Sequence, residues 1–338
     1  MSNLETAPAE LACASAPGRQ GVQVLEPRAV PLGGPRAMTV RRTLPQRIRS
    51  LIGAWCFADH YGPEDVSVTG GMQVAGHPHT GLQTVSWLFR GEIEHRDTTG
   101  AHAYVRPGEV NLMTAGAGIA HSEYSTAATT VLHGAQLWVA LPQEHRFTAP
   151  AFEHYAPPVL DQEGVRVLVF LGRLAGQASP VRTFSPLLGA EITLRAGQRA
   201  DFDVEPGFEH GVLVDTGRLT VAGTAVEAGQ LIYAPPGATT LSLHAPAGQQ
   251  ARVLLLGGQP LGEQIIMWWN FVGRSHDEIA AYRAQWQAER AGLTAHGTRR
   301  YGRFPAQWEH TLPAPELPST RLRPPRIASG RRFRDPVP

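Results

Sequence analysis

Short apolar runs separated by glycine and proline turns dominate the chain from about residue 23 onward. They include residues 84–89, 109–113, 135–141, 165–171 and 253–256. Many of these runs are rich in Val, Leu, Trp or Tyr and are short enough to be strands. The 36 Gly and 28 Pro support this interpretation, because a fold with many strands needs many turns. The pattern predicts an all-β protein built from antiparallel sandwiches or barrels.

A weak internal repeat divides this strand-rich region into two halves. Residues 107–110 precede a strand and a glycine-rich turn, and residues 228–231 do the same before another turn. Residues 88–92 likewise resemble residues 214–218. The repeat therefore predicts two similar β-barrels in tandem.

The predicted organisation has five parts. The first part is rich in Ala, Pro and Ser, a composition that is typical of disorder. In chain order, the parts are a disordered arm at 1–22, a first barrel at 23–155, a second barrel at 156–274, a helix at 275–292 and an Arg/Pro-rich tail at 293–338.

One segment has helical character. Ser275 can cap the N-terminus and Glu278 can answer it three residues later. One apolar face is formed by residues at i, i+3 and i+7, namely Ile279, Tyr282 and Trp286. The pattern favours a helix that packs on the barrels, with Trp268 and Trp269 beneath it rather than on a substrate.

Two triplets carry the candidate chemistry. His77 and His79 flank Pro78, and 44 residues after His77 the pair His121 and Glu123 flanks Ser122. On a strand, residues at i and i+2 project from the same face. Two such strands facing each other would offer three imidazoles and one carboxylate to one transition metal, with room left for a substrate. The alternative is four unrelated residues, but two paired motifs favour a shared metal.

The second half lacks a comparable set of ligands. Glu209 and His210 are adjacent, so they are expected to point to opposite faces of a strand. Thr239 or Thr240 stands where the first half has a histidine, and His244 is isolated. We therefore expect metal in the first barrel alone.

Longer motifs resemble the pirin family of the cupin superfamily. The resemblance spans roughly residues 35–290. The motifs are FADHYGP at 57–63, HPHTG at 77–81, GEIEHRD at 91–97, PGE at 107–109, MTAGAGIAHSE at 113–123, LHGAQLWVALP at 132–142 and LLLGGQPL at 254–261. An acidic residue is usual near the position of Gln83, and this amide would alter hydrogen bonding if it neighboured the metal.

The resemblance implies a fold of two tandem cupin barrels with metal in the N-terminal one. It implies Fe(II) as the usual metal, held by the matching residues His77, His79, His121 and Glu123. The same donor set accepts Mn, Co, Ni, Cu or Zn, so the residues alone do not name the metal. Some relatives have quercetin 2,3-dioxygenase activity, whereas others act as metal-dependent binding partners or regulators.

The main hypothesis is a metal-dependent dioxygenase that uses O₂ to cleave quercetin or a similar flavonol. In this hypothesis Glu123 is both a metal ligand and the catalytic acceptor of the substrate hydroxyl proton. Trp87, Phe89 and Met113 are expected to form the pocket wall if their strand faces point inward. The alternatives are a redox-responsive regulatory protein with a protein partner, and a storage or isomerase-type cupin with Zn or Ni.

Several neighbours of the triplets have two interpretations. His95 and Asp97 either support the metal ligands by hydrogen bonds, lie exposed in a turn or form a pair that sets the register of a strand. His60 either approaches the mouth of the site or caps a turn, and the structural role is favoured. Gly116 and Gly118 are expected to form the tight turn that directs the following strand inward.

Charge gives little indication of the partner. The net charge is +1, but residues 296–338 carry nine Arg against three acidic residues. Prolines are interspersed among these arginines and no nucleic-acid-reading motif is present, so a solvated tail or packing between the barrels is favoured over nucleic-acid binding.

Cysteine usage suits a reducing compartment. Cys13 lies in the arm expected to be mobile, so a disulfide with Cys56 is not expected. No secretory signal is visible near the N-terminus, and no stretch approaches 18 consecutive apolar residues. We expect a cytoplasmic monomer without a membrane partner.

Overall fold

A computed structural model describes residues 8–15, 21–31, 38–293 and 299–318. Its strands and its single described helix are numbered in chain order. Two strands lie near the N-terminus: β1 (Leu11–Cys13) and β2 (Gln23–Leu25). The next eleven are β3 (Arg28–Pro31), β4 (Thr39–Leu44), β5 (Trp55–Asp65), β6 (Gln73–His79), β7 (Leu82–Arg90), β8 (Ile93–Asp97), β9 (His102–Val105), β10 (Val110–Thr114), β11 (Ile119–Ser125), β12 (Val131–Ala140) and β13 (Ala151–Tyr155).

The second half holds the remaining elements. Its strands and helix are β14 (Leu160–Gln162), β15 (Val165–Leu171), β16 (Arg173–Leu174), β17 (Gln177–Ala178), β18 (Leu187–Leu194), β19 (Arg199–Asp203), β20 (Glu209–Thr216), β21 (Arg218–Val221), β22 (Thr224–Glu227), β23 (Leu231–Ala234), β24 (Thr240–His244), β25 (Ala251–Gly258), β26 (Ile265–Trp268), β27 (Phe271–Gly273) and α1 (His276–Arg290).

Each half forms a barrel from one seven-stranded and one four-stranded sheet. In the first barrel the orders are β13-β10-β7-β12-β5-β4-β3 and β6-β11-β8-β9. In the second they are β14-β15-β18-β25-β20-β23-β2 and β19-β24-β21-β22. The predicted all-β fold of two tandem barrels and one short C-terminal helix is therefore confirmed.

The two seven-stranded sheets share one apolar cluster. It joins Val85 and Trp87 of the first barrel to Phe170 and Leu254 of the second. The Trp87 and Phe170 rings stack with their centroids 4.6 Å apart. Burial of these large side chains is the main favourable term that holds the barrels together.

Two boundaries in the predicted organisation are wrong. The arm expected to be disordered contributes β1, which pairs antiparallel with β26 and buries Cys13. Strand β2, assigned to the first barrel, pairs with β23 and so extends the second barrel. Both strands pair with the free backbone N–H and C=O groups of a sheet edge. A sequence of three residues does not reveal which edge it will pair with.

The helix begins and packs as predicted. Ser275 is the N-cap, and its Oγ accepts a hydrogen bond from the Glu278 N–H. The Glu278 carboxylate accepts from the Arg274 N–H, not from the cap residue. The predicted apolar face is buried in a cluster that also contains Trp268; its members are Ile279, Tyr282 and Trp286. No helix in the described ranges is long and apolar enough to cross a membrane.

The C-terminal strap, residues 299–318, lies over α1 and over the outer face of the four-stranded sheet of the first barrel. It has neither helix nor strand, but Tyr301 is fully buried and Phe304 and Trp308 pack in the helix cluster. The expected solvated or inter-barrel tail is therefore wrong for these residues. Residues 319–338 lie outside the described part of the chain.

Candidate metal centre

Strands β6 and β11 place the two triplets side by side. They pair antiparallel, with His77 directly opposite His121. Alternation along each strand puts His79 on the face of His77 and Glu123 on the face of His121. All four side chains point into the first barrel and are at most 1% exposed.

A tight glycine turn leads into β11. Gly116 has φ +52°, and a Cβ there would lie 2.0 Å from the carbonyl oxygen of Thr148. Gly118 is equally confined, because a Cβ there would lie 2.5 Å from Cγ of Arg300. A side chain at either position requires the neighbouring chain to move, so the predicted role of both glycines in the turn is supported.

The three histidines converge on one point. Their ring centroids are separated by 4.3 Å (His77 and His121), 4.9 Å (His79 and His121) and 5.0 Å (His77 and His79). The Nε2 atoms of His79 and His121 are 3.0 Å apart. Two nitrogens bound to one ion at about 2.0–2.1 Å can adopt that separation.

Glu123 is displaced from the common point of the histidines. A carboxylate oxygen of Glu123 lies within 4.8 Å of ring nitrogens of His121 and His95. It does not form such a group with His77 and His79. Oε1 accepts a hydrogen bond from Ser86 Oγ at 3.3 Å, whereas Oε2 is buried without a hydrogen-bond partner. The sequence therefore places Glu123 on the correct face but misses the proximity of His95.

His95 and Asp97 form a hydrogen-bonded chain behind His121. His95 Nδ1 lies 3.4 Å from His121 Nδ1, and His95 Nε2 lies 3.0 Å from Asp97 Oδ2. Burial alone would raise the pKa of Asp97, but hydrogen bonds from His95 and Thr99 outweigh it and lower that pKa. Both residues are buried, so the exposed-turn interpretation is wrong and the supporting role is favoured.

Burial determines the electrostatics of the site. It lowers the pKa of His77 to about 3 and the pKa values of His79 and His121 well below the ordinary value. It raises the pKa of Glu123. The three imidazoles are therefore neutral near pH 7, which is the form that binds a metal.

The unpaired atoms fit a cation. The Nδ1–H of His77 donates to the carbonyl oxygen of Ala75 at 2.9 Å, which leaves a lone pair on Nε2. That Nε2 is buried without a hydrogen-bond partner, as is Oε2 of Glu123. Buried polar atoms without partners are costly, and a metal ion among the three imidazoles would satisfy Nε2 of His77. Oε2 of Glu123 would reach the same ion only if its side chain moved.

Aromatic rings from other strands enclose the histidines. Trp138 stacks on Phe57 with centroids 4.1 Å apart and meets His79 edge-on at 5.3 Å. Phe152 stacks on His95 at 4.7 Å. Met113 belongs to the same apolar cluster as Trp138, in agreement with its predicted place.

Two of the predicted wall residues face the opposite direction. The Trp87 indole N–H donates to Glu191 Oε2 of the second barrel at 2.8 Å. Phe89 packs on His133, with centroids 4.9 Å apart. Both lie on the β7 face opposite Ser86, so they line the boundary between the barrels, not the metal centre.

Gln83 shares that outward face. Its amide donates to Thr114 Oγ1 at 2.9 Å and to the carbonyl oxygen of Arg182 at 3.1 Å. The expected effect of this amide on the metal is therefore not supported, because strand alternation separates it from the ligands.

The second barrel fills its interior with apolar side chains. Phe202, Leu241 and Leu243 are buried there. Glu209 accepts hydrogen bonds from the Gly53 N–H at 2.7 Å and from other groups at the junction of the barrels. These contacts give Glu209 a structural role.

A second group of ligand-type residues lies between the barrels. His60 Nε2 and His133 Nε2 approach Asp215 Oδ1 at 2.7 and 2.5 Å, while Arg252 Nε donates to Oδ2 at 2.6 Å. Arg41 donates to His60 Nδ1 at 3.1 Å, so the neutral ring carries its proton on Nε2. That proton blocks the ring nitrogen, and the positive charges of Arg41 and Arg252 disfavour a metal cation at this place. His60 therefore neither lines the mouth of the site nor caps a turn, but joins the barrels.

The two barrels match the two domains described for one protein family. Residues 37–139 match the family described as Pirin, and residues 189–292 match the Pirin C-terminal cupin domain. A protein of Pseudomonas aeruginosa named "Putative quercetin 2,3-dioxygenase PA1205" is 44% identical over 298 residues, which are 88% of this chain and 91% of that relative. The chain belongs to the pirin family.

Other pirin relatives support the same assignment. A pirin-like protein of Caulobacter vibrioides is 36% identical over 263 residues, covering 75% of this chain and 90% of the relative. The crystal structure described as quercetin 2,3-dioxygenase from Acinetobacter baumannii is 35% identical, with a TM-score of 0.81, and the match covers 88% of this chain and 96% of that one.

Proposed function

We propose that this pirin is a metal-dependent dioxygenase that acts on a flavonol such as quercetin with O₂. The observation that carries the proposal is the convergence of three buried, neutral imidazoles at one point of the first barrel. The relatives named as quercetin 2,3-dioxygenases support the choice of substrate class.

His77, His79 and His121 would hold the metal, with Fe(II) as the first choice and Mn, Co, Ni, Cu or Zn as alternatives. Oε2 of Glu123 would complete the set after its side chain moves toward the three imidazoles. When bound, the metal would act as a Lewis acid toward a hydroxyl oxygen of the substrate.

The other residues would prepare the site for the substrate. Glu123 Oε2 would accept the proton of the substrate hydroxyl, while Ser86 holds Oε1 in place. The rings of Phe57 and Trp138 would exclude water and bound the aromatic substrate.

Oxygen consumption tests this function. Protein loaded anaerobically with Fe(II) is mixed with quercetin under air, and oxygen uptake, quercetin loss and bound metal are measured in the same sample. We expect one molecule of O₂ to be consumed for each molecule of quercetin lost. Stoichiometric metal without oxygen uptake would reject the flavonol dioxygenase.

The burial of the site favours a second candidate, a metal- or redox-responsive binding protein. The four proposed ligands are at most 1% exposed, so a flavonol reaches the metal only if the surrounding chain moves. A stable shift of the quercetin absorption band under air, without bleaching, would indicate binding without turnover and favour this candidate.

Replacement of Glu123 by glutamine tests its proton-accepting role. The substitution preserves the shape and removes the charge and the basic oxygen, so we expect quercetin turnover per bound metal to fall by about 10²–10⁴-fold. The thermal unfolding midpoint of the metal-free protein is expected to change little. Equal losses of folding and activity would contradict the assigned role.

Replacement of His95 by glutamine distinguishes a supporting residue from a ligand. A supporting role through His121 predicts metal affinity lower by about 10–100-fold, with turnover per bound metal retained. Titration of the metal-free variants would measure this. If His95→Gln loses more metal affinity than Glu123→Gln, His95 is the ligand and Glu123 the support.

A further inference from the structure

The pairing of β6 with β11 is irregular at the metal centre. His121 pairs with His77, but Glu123 pairs with Val74, so two residues of β6 stand opposite Ser122 alone. Such a β-bulge bends a strand and re-aims the side chains beside it. The extra residue lies in β6, directly before His77, whereas β11 pairs regularly with β8 from His121 to Glu123.

The C-terminal strap binds both sides of this bulge. The Leu312 N–H donates to the Gly76 carbonyl oxygen at 2.8 Å. The Trp308 indole N–H donates to Ser122 Oγ at 2.9 Å. The indole also covers Gly76 so closely that a Cβ there would lie 2.5 Å from Cε3 of Trp308.

The strap is itself held by α1. Trp286 donates its indole N–H to the Leu312 carbonyl oxygen at 2.9 Å, and Arg290 Nη2 donates to the Thr311 carbonyl oxygen at 2.9 Å. Arg283 Nε donates to the Pro315 carbonyl oxygen at 2.5 Å. The strap therefore forms a fixed outer layer whose inner face bears on the two ligand strands.

We propose that Trp308 is a positioning residue for the metal centre. It holds Ser122 of β11 beside the bulge at Gly76 of β6, and so fixes His77 relative to His121 and Glu123. The inference rests on the proposed metal site. Ser122 is the residue between His121 and Glu123, so a shift of its backbone turns both of them. The strap lies beyond residue 292, where the match to the family's C-terminal domain ends.

A simple covering role for the strap makes a different prediction. If the strap merely shielded the outer face of the sheet, losing one indole hydrogen bond would lower the thermal unfolding midpoint without changing the metal. A positioning role changes the affinity and the ligand field of the metal at the inner face. Co(II) is a suitable probe, because its visible absorption reports ligand number and geometry.

The test compares Trp308→Phe, Ser122→Ala and the double variant. Each removes one or both ends of the same hydrogen bond, and Ser122→Ala changes little volume. We expect Co(II) affinity, measured by competition with a chelator, to fall by about 10–100-fold in each single variant. The double variant is expected to lose little more, since the two residues act through one bond.

Arg283→Met is the control. It removes a hydrogen bond between α1 and the strap at Pro315, away from Gly76 and Ser122. We expect a lower unfolding midpoint, with a Co(II) spectrum like that of the wild type. Trp308→Phe is expected to change the spectrum.

Three results would overturn the inference. The first is wild-type affinity in Trp308→Phe, and the second is equal loss in Trp308→Phe and Arg283→Met. The third is additive loss in the double variant. Absence of stoichiometric Co(II) from the wild type would instead reject the metal site, and with it this inference.

Discussion

Replacement of His79 by alanine is expected to remove both the bound metal and quercetin-dependent oxygen uptake. His79 supplies one of three converging imidazoles, and its Nε2 lies 3.0 Å from that of His121. Two histidines that remain after its loss cannot hold the ion in the same geometry. Metal analysis and oxygen uptake on the same sample would measure both losses.

The same variant tests how bound metal contributes to the free energy of unfolding. A ligand that binds the folded chain alone adds about 4 kcal/mol to the free energy of unfolding at 1,000 times its Kd. Chelation is therefore expected to lower the unfolding midpoint of the wild type and to leave that of His79→Ala unchanged.

His210→Ala is a suitable control for this substitution. It removes an equally buried imidazole from the second barrel, where no metal is proposed. It is expected to keep metal and uptake. Metal retained by His79→Ala at the wild-type level would contradict the proposed centre.

Replacement of Asp215 by asparagine is expected to lower the free energy of unfolding by about 3 kcal/mol. The carboxylate is buried, and it is approached by His60, His133 and Arg252. Removing one partner of a buried ion pair costs about 3–5 kcal/mol, because the other charge stays uncompensated. We expect a loss at the lower end of this range, because the Arg252 side chain is 25% exposed and water can still solvate its charge. Denaturant unfolding would measure the loss.

The same network predicts acid sensitivity. Burial lowers the pKa of His60, with Arg41 and His133 adding to the effect and Asp215 opposing it. Below about pH 6.5 the unfolded chain therefore takes up a proton that the folded chain refuses, and stability falls. Burial alone would raise the pKa of Asp215, but hydrogen bonds from His133 and His60, with the charges of His60 and Arg252, lower it. Its contribution is thus complete above about pH 4 and is lost at lower pH.

Unfolding of the wild type and Asp215→Asn across pH 3–8 would check this prediction. The difference between them is expected to be largest near neutrality and to shrink toward pH 3. Asp201→Asn, on the exposed ion pair with Arg199, is the control and is expected to match the wild type. A constant difference across this range would contradict the role of the carboxylate charge.

Much of the candidate site could be predicted because it depends on local spacing. The i and i+2 positions of His77 and His79, and of His121 and Glu123, put each pair on one strand face wherever the strands lie. The glycine turn before β11 is local in the same sense. The role of His95 could not be predicted from the sequence, because its approach to His121 depends on how β8 pairs with β11.

The wall of the site shows where local rules end. Strand alternation separates Trp87 from Ser86, but it does not say which face meets the metal and which meets the second barrel. Trp138 and Phe152 were not predicted as wall residues, because their place beside the histidines depends on how β12 pairs with β7 and β13 with β10. Their apolar character indicated burial without indicating what they would enclose.

The amino-acid sequence by itself determined the all-β fold, the duplicated barrel, the capped helix and the two ligand-bearing triplets. Each follows from periodicity, turn chemistry or capping, which act over a few residues. The tertiary structure alone decided the exchange of β2 into the second barrel, the network around Asp215 and the contact of Trp308 with Ser122. These include pairs that are 155 to more than 200 positions apart in the chain. Their partners are selected by the packing of whole sheets, which no short sequence pattern specifies.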